Sequence, residues 1–293
     1  MKWRLEVISY DLVRAVMMLF PFNGISKFGG ALFRFIGPKT SKQKIVLTGL
    51  RTAFPNMPEA DIVKTAKAQW DNTGRTFFEF PLLGRVKVFG KKSRVKIIGL
   101  DKIEALKTSE QGAVLVTGHF ANWEIIAAAI SQSGLPVRVT YRRLNNPYFD
   151  KRVAAQRRKY GIDLMTPKSG PRGARQLITA LKNGQSVAIM NDQKFNEGIE
   201  VPFFNAPAMT APGPVRMALK TGAPLIPMVA RRNGADFEVE FYEPIKLEHT
   251  GDKQADILAG VKAVTAFIEA RIIDNPDQWF WVHRRWAKSH YRK

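Results

Sequence analysis

The chain contains no cysteine and only four histidines. The first absence excludes disulfides, thiolate metal sites and a cysteine nucleophile. His119, His249, His283 and His290 are far apart and lack a zincin-like spacing, so no metal site and no resident cofactor are expected. G-x-S-x-G is missing too, which argues against a serine hydrolase of the α/β type. Neither G-x-x-x-x-G-K-[ST] nor G-x-G-x-x-G occurs, and the glycine-rich spots at Ser169 to Gly173 and Ala211 to Pro214 read as helix starts. Long uncharged apolar runs are also lacking. Leu5 to Phe22 carries Glu6, Asp11 and Arg14, whereas a spanning helix needs about 20 mostly uncharged residues. No small-residue cleavage site marks that stretch as a signal peptide.

Positive charge is abundant. Lys and Arg number 46 against 25 Asp and Glu, a formal net charge of +21 that attracts polyanions. Nucleic acid, an anionic membrane surface and an acidic protein partner all suit that field. Hydrophobic residues make up 45% of the 293, enough to bury one large core and to argue against disorder.

Near the amino terminus, Leu5, Ile8, Leu12, Val16, Leu19 and Phe20 recur at helical spacing. A second segment adds Phe28, Leu32, Phe33, Phe35 and Ile36, with Lys27, Arg34 and Lys39 among or beside them. Two short amphipathic helices are expected, lying in a membrane interface or packing on the protein's own core. Residues 42 to 80 read as helical, broken near Phe54-Pro55-Asn56-Met57-Pro58. Beyond residue 95 the rhythm changes. Strands are expected at Val95–Ile98, Ala113–Thr117, Val137–Tyr141, Ile162–Met165, Ser186–Met190, Leu225–Val229 and Phe237–Tyr242. Helices are expected at Asp101–Lys107, Trp123–Ser131, Asn146–Lys159, Arg172–Asn183, Gly213–Thr221 and Gln254–Ile273. That alternation predicts an α/β fold with a single, mostly parallel central sheet flanked by helices. An N-terminal helical, membrane-associating region at 1–94 and an α/β region at 95–293 are expected to pack as one unit.

The segment His119-Phe120-Ala121-Asn122-Trp123-Glu124 follows an apolar strand and opens a helix, where α/β folds place chemistry. On a continuous helix five positions advance about 500°, leaving the two side chains roughly 140° apart. Glu124 can orient His119 only if the turn brings it back beneath the ring, fixing its tautomer and favouring the imidazolium. Otherwise His119 caps a helix and Glu124 sits on a solvated face.

This segment resembles the lipid A biosynthesis acyltransferase family, within the lysophospholipid acyltransferase superfamily. Further similarities follow in order: Tyr141-Arg142, Asn146-Pro147 and Asp150, Arg157 with Gly161, Asn191-Asp192-Gln193, Val201-Pro202-Phe203-Phe204, and Pro276 through Trp279 to Trp286. Together they span roughly residues 20 to 286. Two departures stand out: Arg143 replaces a proline usual after Tyr141-Arg142, and the amino-terminal stretch carries charges where relatives have a clear membrane span.

The resemblance implies fatty acyl transfer from an acyl carrier protein or coenzyme A thioester to a hydroxyl of a lipid A precursor or related glycolipid. In that scheme His119 is the general base, Glu124 its orienter, and backbone N–H groups at the following helix start stabilise the oxyanion. Arg142, Arg157, Asp192 and Gln193 are the expected substrate-binding residues. Arg157 serves acceptor phosphates, and Asp192 holds Arg157 or a sugar hydroxyl. The expected partners are an acidic acyl carrier protein or coenzyme A thioester, the glycolipid and an anionic membrane surface. The expected place is the cytoplasmic face of the bacterial inner membrane, peripheral or monotopic. Two rivals remain: acylation of another membrane lipid such as a phosphatidylinositol mannoside, and a basic nucleic-acid-binding protein. No nucleic-acid-binding module is found, and none is expected as a partner.

Overall fold

In this computed structural model, residues 2–141, 143–162, 165–167 and 170–292 are described. The apolar runs form strands β1 (Val95–Ile98), β2 (Val114–Thr117), β3 (Val137–Tyr141), β4 (Met165–Pro167), β5 (Ser186–Met190), β6 (Ile199–Phe203), β7 (Ala206–Thr210), β8 (Leu225–Asn233) and β9 (Asp236–Phe241). Seven of them make one sheet in the order β1-β9-β8-β2-β5-β3-β4. All its pairings are parallel except β8 with β9, a hairpin through Gly234. The mostly parallel sheet is therefore as expected. Strands β6 and β7 form a separate antiparallel hairpin, where no strand was expected between Met190 and Leu225.

Period-two alternation along the strands divides the core. Val114, Val116, Val187 and Ile189 face one hydrophobic cluster, while Ala113, Leu115 and Ala188 face the other. The first cluster also takes in Trp70 of α4 (Glu59–Glu79), Leu50 of α3 (Lys42–Ala53), Val264 of a long C-terminal helix (Lys253–Asp274), and Trp279, Trp281 and Trp286. Amino- and carboxyl-terminal segments thus share one core.

Two further N-terminal helices, α1 (Lys2–Met17) and α2 (Phe22–Ile36), lie over this body. Helix α2 crosses α4 where Gly29 and Gly74 meet: a Cβ on Gly74 would stand 2.2 Å from the Gly29 carbonyl oxygen, a contact only glycine permits. Helix α1 is held at its sides, with the Tyr10 hydroxyl donating to Gln156 at 2.8 Å. Its apolar positions Leu5, Ile8, Leu12 and Val16 are all exposed, as are Leu19, Phe20, Phe28 and Phe35. Of the two readings open to these helices, packing on the core does not account for those side chains. Among the described residues no helix is long and apolar enough to cross a membrane.

Candidate active site

Strands β2 and β5 lie side by side in parallel with Thr117 opposite Met190. Two residues further along each chain come His119 and Asp192, so strand register alone delivers both to the same carboxyl edge of the sheet. Ligands gather there in open α/β folds. Gly118 allows the close approach, since a Cβ on it would stand 3.1 Å from Asp192 Cγ.

The Asp192 carboxylate is fully enclosed and wholly committed. Oδ1 lies 2.8 Å from His119 Nδ1, Oδ2 accepts the His119 backbone N–H at 2.7 Å, and the Trp279 indole N–H donates to Oδ2 at 2.8 Å. Burial alone would raise its pKa. The His119 charge, the bonds from His119 and the nearby His283 overcome that and hold the carboxyl well below the usual carboxylate range. An ionised carboxylate can only accept, so His119 Nδ1 donates to it, and whenever that is the ring's only proton Nε2 offers a lone pair. That nitrogen sits 3.3 Å from Gln193 Nε2.

Glu124 opens helix α6 (Glu124–Gln132), but its carboxylate turns away from this pair. It accepts from Arg157 Nε at 2.9 Å and Nη2 at 2.6 Å, and from the Tyr160 hydroxyl at 3.4 Å. Arg157 and the C-capping Tyr160 belong to helix α7 (Pro147–Lys159) and its end. Burial would lower the Arg157 pKa, but the Glu124 charge and bonds raise it, keeping the guanidinium charged. The expected partnerships are therefore exchanged. Asp192, not Glu124, bonds the ring nitrogen, and Glu124, not Asp192, holds Arg157. The physical reason is direction: the β2-to-α6 turn sends the Glu124 side chain towards α7, while the register of β5 places Asp192 beneath His119. Gln193 is beside the ring as well. Arg142 lies outside the described residues.

The C-terminal segment straps this turn. Phe280 N–H donates to the His119 carbonyl at 3.1 Å, and Ala121 N–H to that of Gln278 at 2.7 Å. His283 stands with its ring centroid 6.1 Å from that of His119 and 5.1 Å from that of Trp279. Both of its ring nitrogens are shut off from solvent, and among the described residues neither makes a well-formed hydrogen bond. Burial pulls its pKa down to about 4 against the opposing pull of Asp192, so it is neutral at pH 7. The role of Trp279 as a donor to Asp192 escaped the sequence reading. Its place in the Gln278-Trp279 signature was the one available signal.

An imidazole with one nitrogen fixed on a buried carboxylate and the other in a partly open site can take a proton from an alcohol. The bacterial lipid A biosynthesis acyltransferase family matches this sequence over residues 5–288. The chain belongs to that family. It is an acyltransferase, an enzyme that moves acyl groups to lipid hydroxyls. Among individual relatives, the lipid A biosynthesis acyltransferase of Haemophilus influenzae is 25% identical over 272 residues, 89% of this chain and 81% of that one. The lipid A biosynthesis lauroyltransferase of Escherichia coli is 26% identical over 253 residues, 83% of this chain and 78% of its own. The phosphatidylinositol mannoside acyltransferase of Mycobacterium tuberculosis is 25% identical over 214 residues, 72% of this chain and 66% of its own. Family membership places the chain among enzymes, which the rival reading as a nucleic-acid-binding protein did not.

Proposed function

We propose that this acyltransferase moves a fatty acyl chain from an acyl carrier protein or coenzyme A thioester to a hydroxyl of a lipid A precursor or related glycolipid, with His119 as general base. The observation that carries the reading is the His119 Nδ1 to Asp192 bond of 2.8 Å, which leaves Nε2 as the acceptor. Nε2 takes the proton of the acceptor hydroxyl as its oxygen attacks the thioester carbonyl carbon. The Asp192 charge offsets the positive charge the ring then gains. Collapse of the tetrahedral species breaks the carbon–sulfur bond, and the imidazolium returns its proton to the departing thiolate. No acyl-enzyme is needed.

The oxyanion needs donors, and the turn limits the choice. The backbone N–H groups of His119, Phe120 and Ala121 are bonded to Asp192, Gly118 and Gln278, and that of Glu124 to the Asn122 side chain. Among the described residues, Asn122 and Trp123 are the backbone donors left at the start of α6, where the helix dipole also favours an anion.

A run of aromatic rings leads from the base to the apolar exterior. Centroid distances are 5.0 Å from His119 to Trp123, 5.4 Å on to Phe280, 6.4 Å to Phe77 and 5.9 Å to Phe33 of α2. A hydrocarbon chain can lie along these faces while its head group reaches His119. Arg157 is held too tightly by Glu124 to serve first as a phosphate ligand, so its part is to brace α6 against α7. Gln193 is placed to touch substrate at Nε2. The exposed faces of α1 and α2 and the charge of +21 suit an anionic membrane surface. Thioester donors are cytoplasmic, so we assign the protein peripherally to the cytoplasmic face of the bacterial inner membrane.

The test combines purified protein, anionic vesicles and each donor with either a lipid A precursor or a phosphatidylinositol mannoside, read by mass spectrometry of the lipids. Acylation of the lipid A precursor is expected. Acylation of the mannoside alone would transfer the assignment to that acceptor, and no acyl gain on either would refute it.

A further inference from the structure

Ala121 occupies the left-handed region at φ 47°, a conformation that costs energy for a residue with a Cβ. Such strain persists only where the surroundings over-determine it. Both of its backbone groups are held: its N–H by the Gln278 carbonyl, and its carbonyl by the Thr76 hydroxyl at 2.9 Å. The next side chain, Asn122, donates to Glu79 Oε2 at 3.0 Å.

These three grips converge on Arg232, at the far end of β8. Its guanidinium spans the Glu79 carboxylate, with Nη1 at 2.5 Å from Oε1 and Nη2 at 2.9 Å from Oε2, and also donates to the Thr76 hydroxyl at 3.1 Å. Its backbone N–H and carbonyl pair with the Gln278 side chain at 2.7 and 3.1 Å. The ion pair is almost dry, with side-chain exposures of 6% for Arg232 and 0% for Glu79. A buried pair of this kind gains little net stability over apolar side chains of equal volume. What it does supply is direction, since every donor and acceptor has a fixed angle.

We propose that Thr76, Glu79 and Arg232 are positioning residues for His119: through Ala121 and Asn122 they fix the turn that aims the imidazole at Asp192 and the substrate. The proposal rests on His119 being the base. None of the three needs to touch substrate. The device also ties the catalytic turn to α2, since Glu79 Oε1 accepts the Ser26 hydroxyl at 2.6 Å.

Thr76→Val removes the hydroxyl at nearly constant shape, and Glu79→Asp keeps the charge but withdraws the carboxylate. Whichever variant retains the parent's thermal transition decides the matter. Expected is a fall in kcat of about ten- to hundredfold at unchanged KM, with recovery in Thr76→Ser. The proton resonance of the ring Nδ1–H, assigned by its loss in His119→Ala, is expected to move at the same time. Turnover within about threefold of the parent, a loss carried by KM alone, or a resonance left in place overturns the proposal. An active His119→Ala would remove the reading beneath it. An inactive His119→Ala beside a fully active Thr76→Val would remove this proposal alone.

Discussion

Nδ1 of His119 stands 2.8 Å from Oδ1 of Asp192, a residue 73 positions later in the chain. The bond selects the ring tautomer. In Asp192→Asn the amide can offer an N–H to Nδ1 and favour the wrong tautomer, and the compensating negative charge is lost. We expect kcat to fall about 10³- to 10⁴-fold with the fold retained. Steady-state kinetics beside thermal unfolding checks it, and a variant within tenfold of the parent would count against the assignment.

Glu124 and Arg157 face each other at 2.6 Å with side-chain exposures of 7% and 19%. Removing either leaves a nearly buried charge unpaired, a loss of about 3–5 kcal/mol. Glu124→Ala and Arg157→Ala should each lower the melting temperature by about 6–20 °C, at roughly 2–4 °C per kcal/mol for a domain of this size. The double variant should lose less than the sum. Arg157→Lys should restore little, because an ammonium cannot make both bonds of the planar fork. Strict additivity in calorimetry would show that the pair is not coupled.

His283 is a half-buried imidazole with both ring nitrogens enclosed, and its pKa in the folded protein falls from 6.5 to about 4. For a depressed folded value the sign is fixed: the contribution is fully present above pH 6.5 and is lost as pH falls towards 4. Its ceiling is on the order of 3 kcal/mol. Denaturant titrations across that window should show the parent losing stability more steeply than His283→Phe. Parallel slopes would rule out the imidazole as a cause.

Much of this architecture was legible in the chain. The apolar runs of β2 and β5 announced themselves because they are buried on both faces, and His119 stood out at the strand-to-helix turn. The β6–β7 hairpin did not. Pro202 and Pro207 lie opposite each other in it, and proline within an apolar run argues against a strand except at an edge. The exchange of carboxylate partners was hidden for another reason. Glu124 is five residues from His119 and Asp192 is 73, yet nearness in space follows the register of β2 and β5, which no local pattern encodes. The Arg232–Glu79 pair, 153 positions apart, was invisible for the same reason.

Leu19 is 81% exposed and Phe35 66%, on the face we assign to the membrane. Leu19→Asp and Phe35→Asp should each weaken binding to anionic vesicles about tenfold or more, since burying a large apolar side chain gains about 1.5–3 kcal/mol. Added salt should weaken parent and variants alike, because the charge term is screened. Cosedimentation reads both, and unchanged binding in the two variants would assign the face elsewhere.

The most direct measurement is the single-turnover rate of acyl transfer by His119→Ala beside the parent, on saturating thioester and acceptor, with folding confirmed by the thermal transition. Loss of the base should slow the step by about 10²- to 10⁴-fold. An unchanged rate in the folded variant would contradict the account.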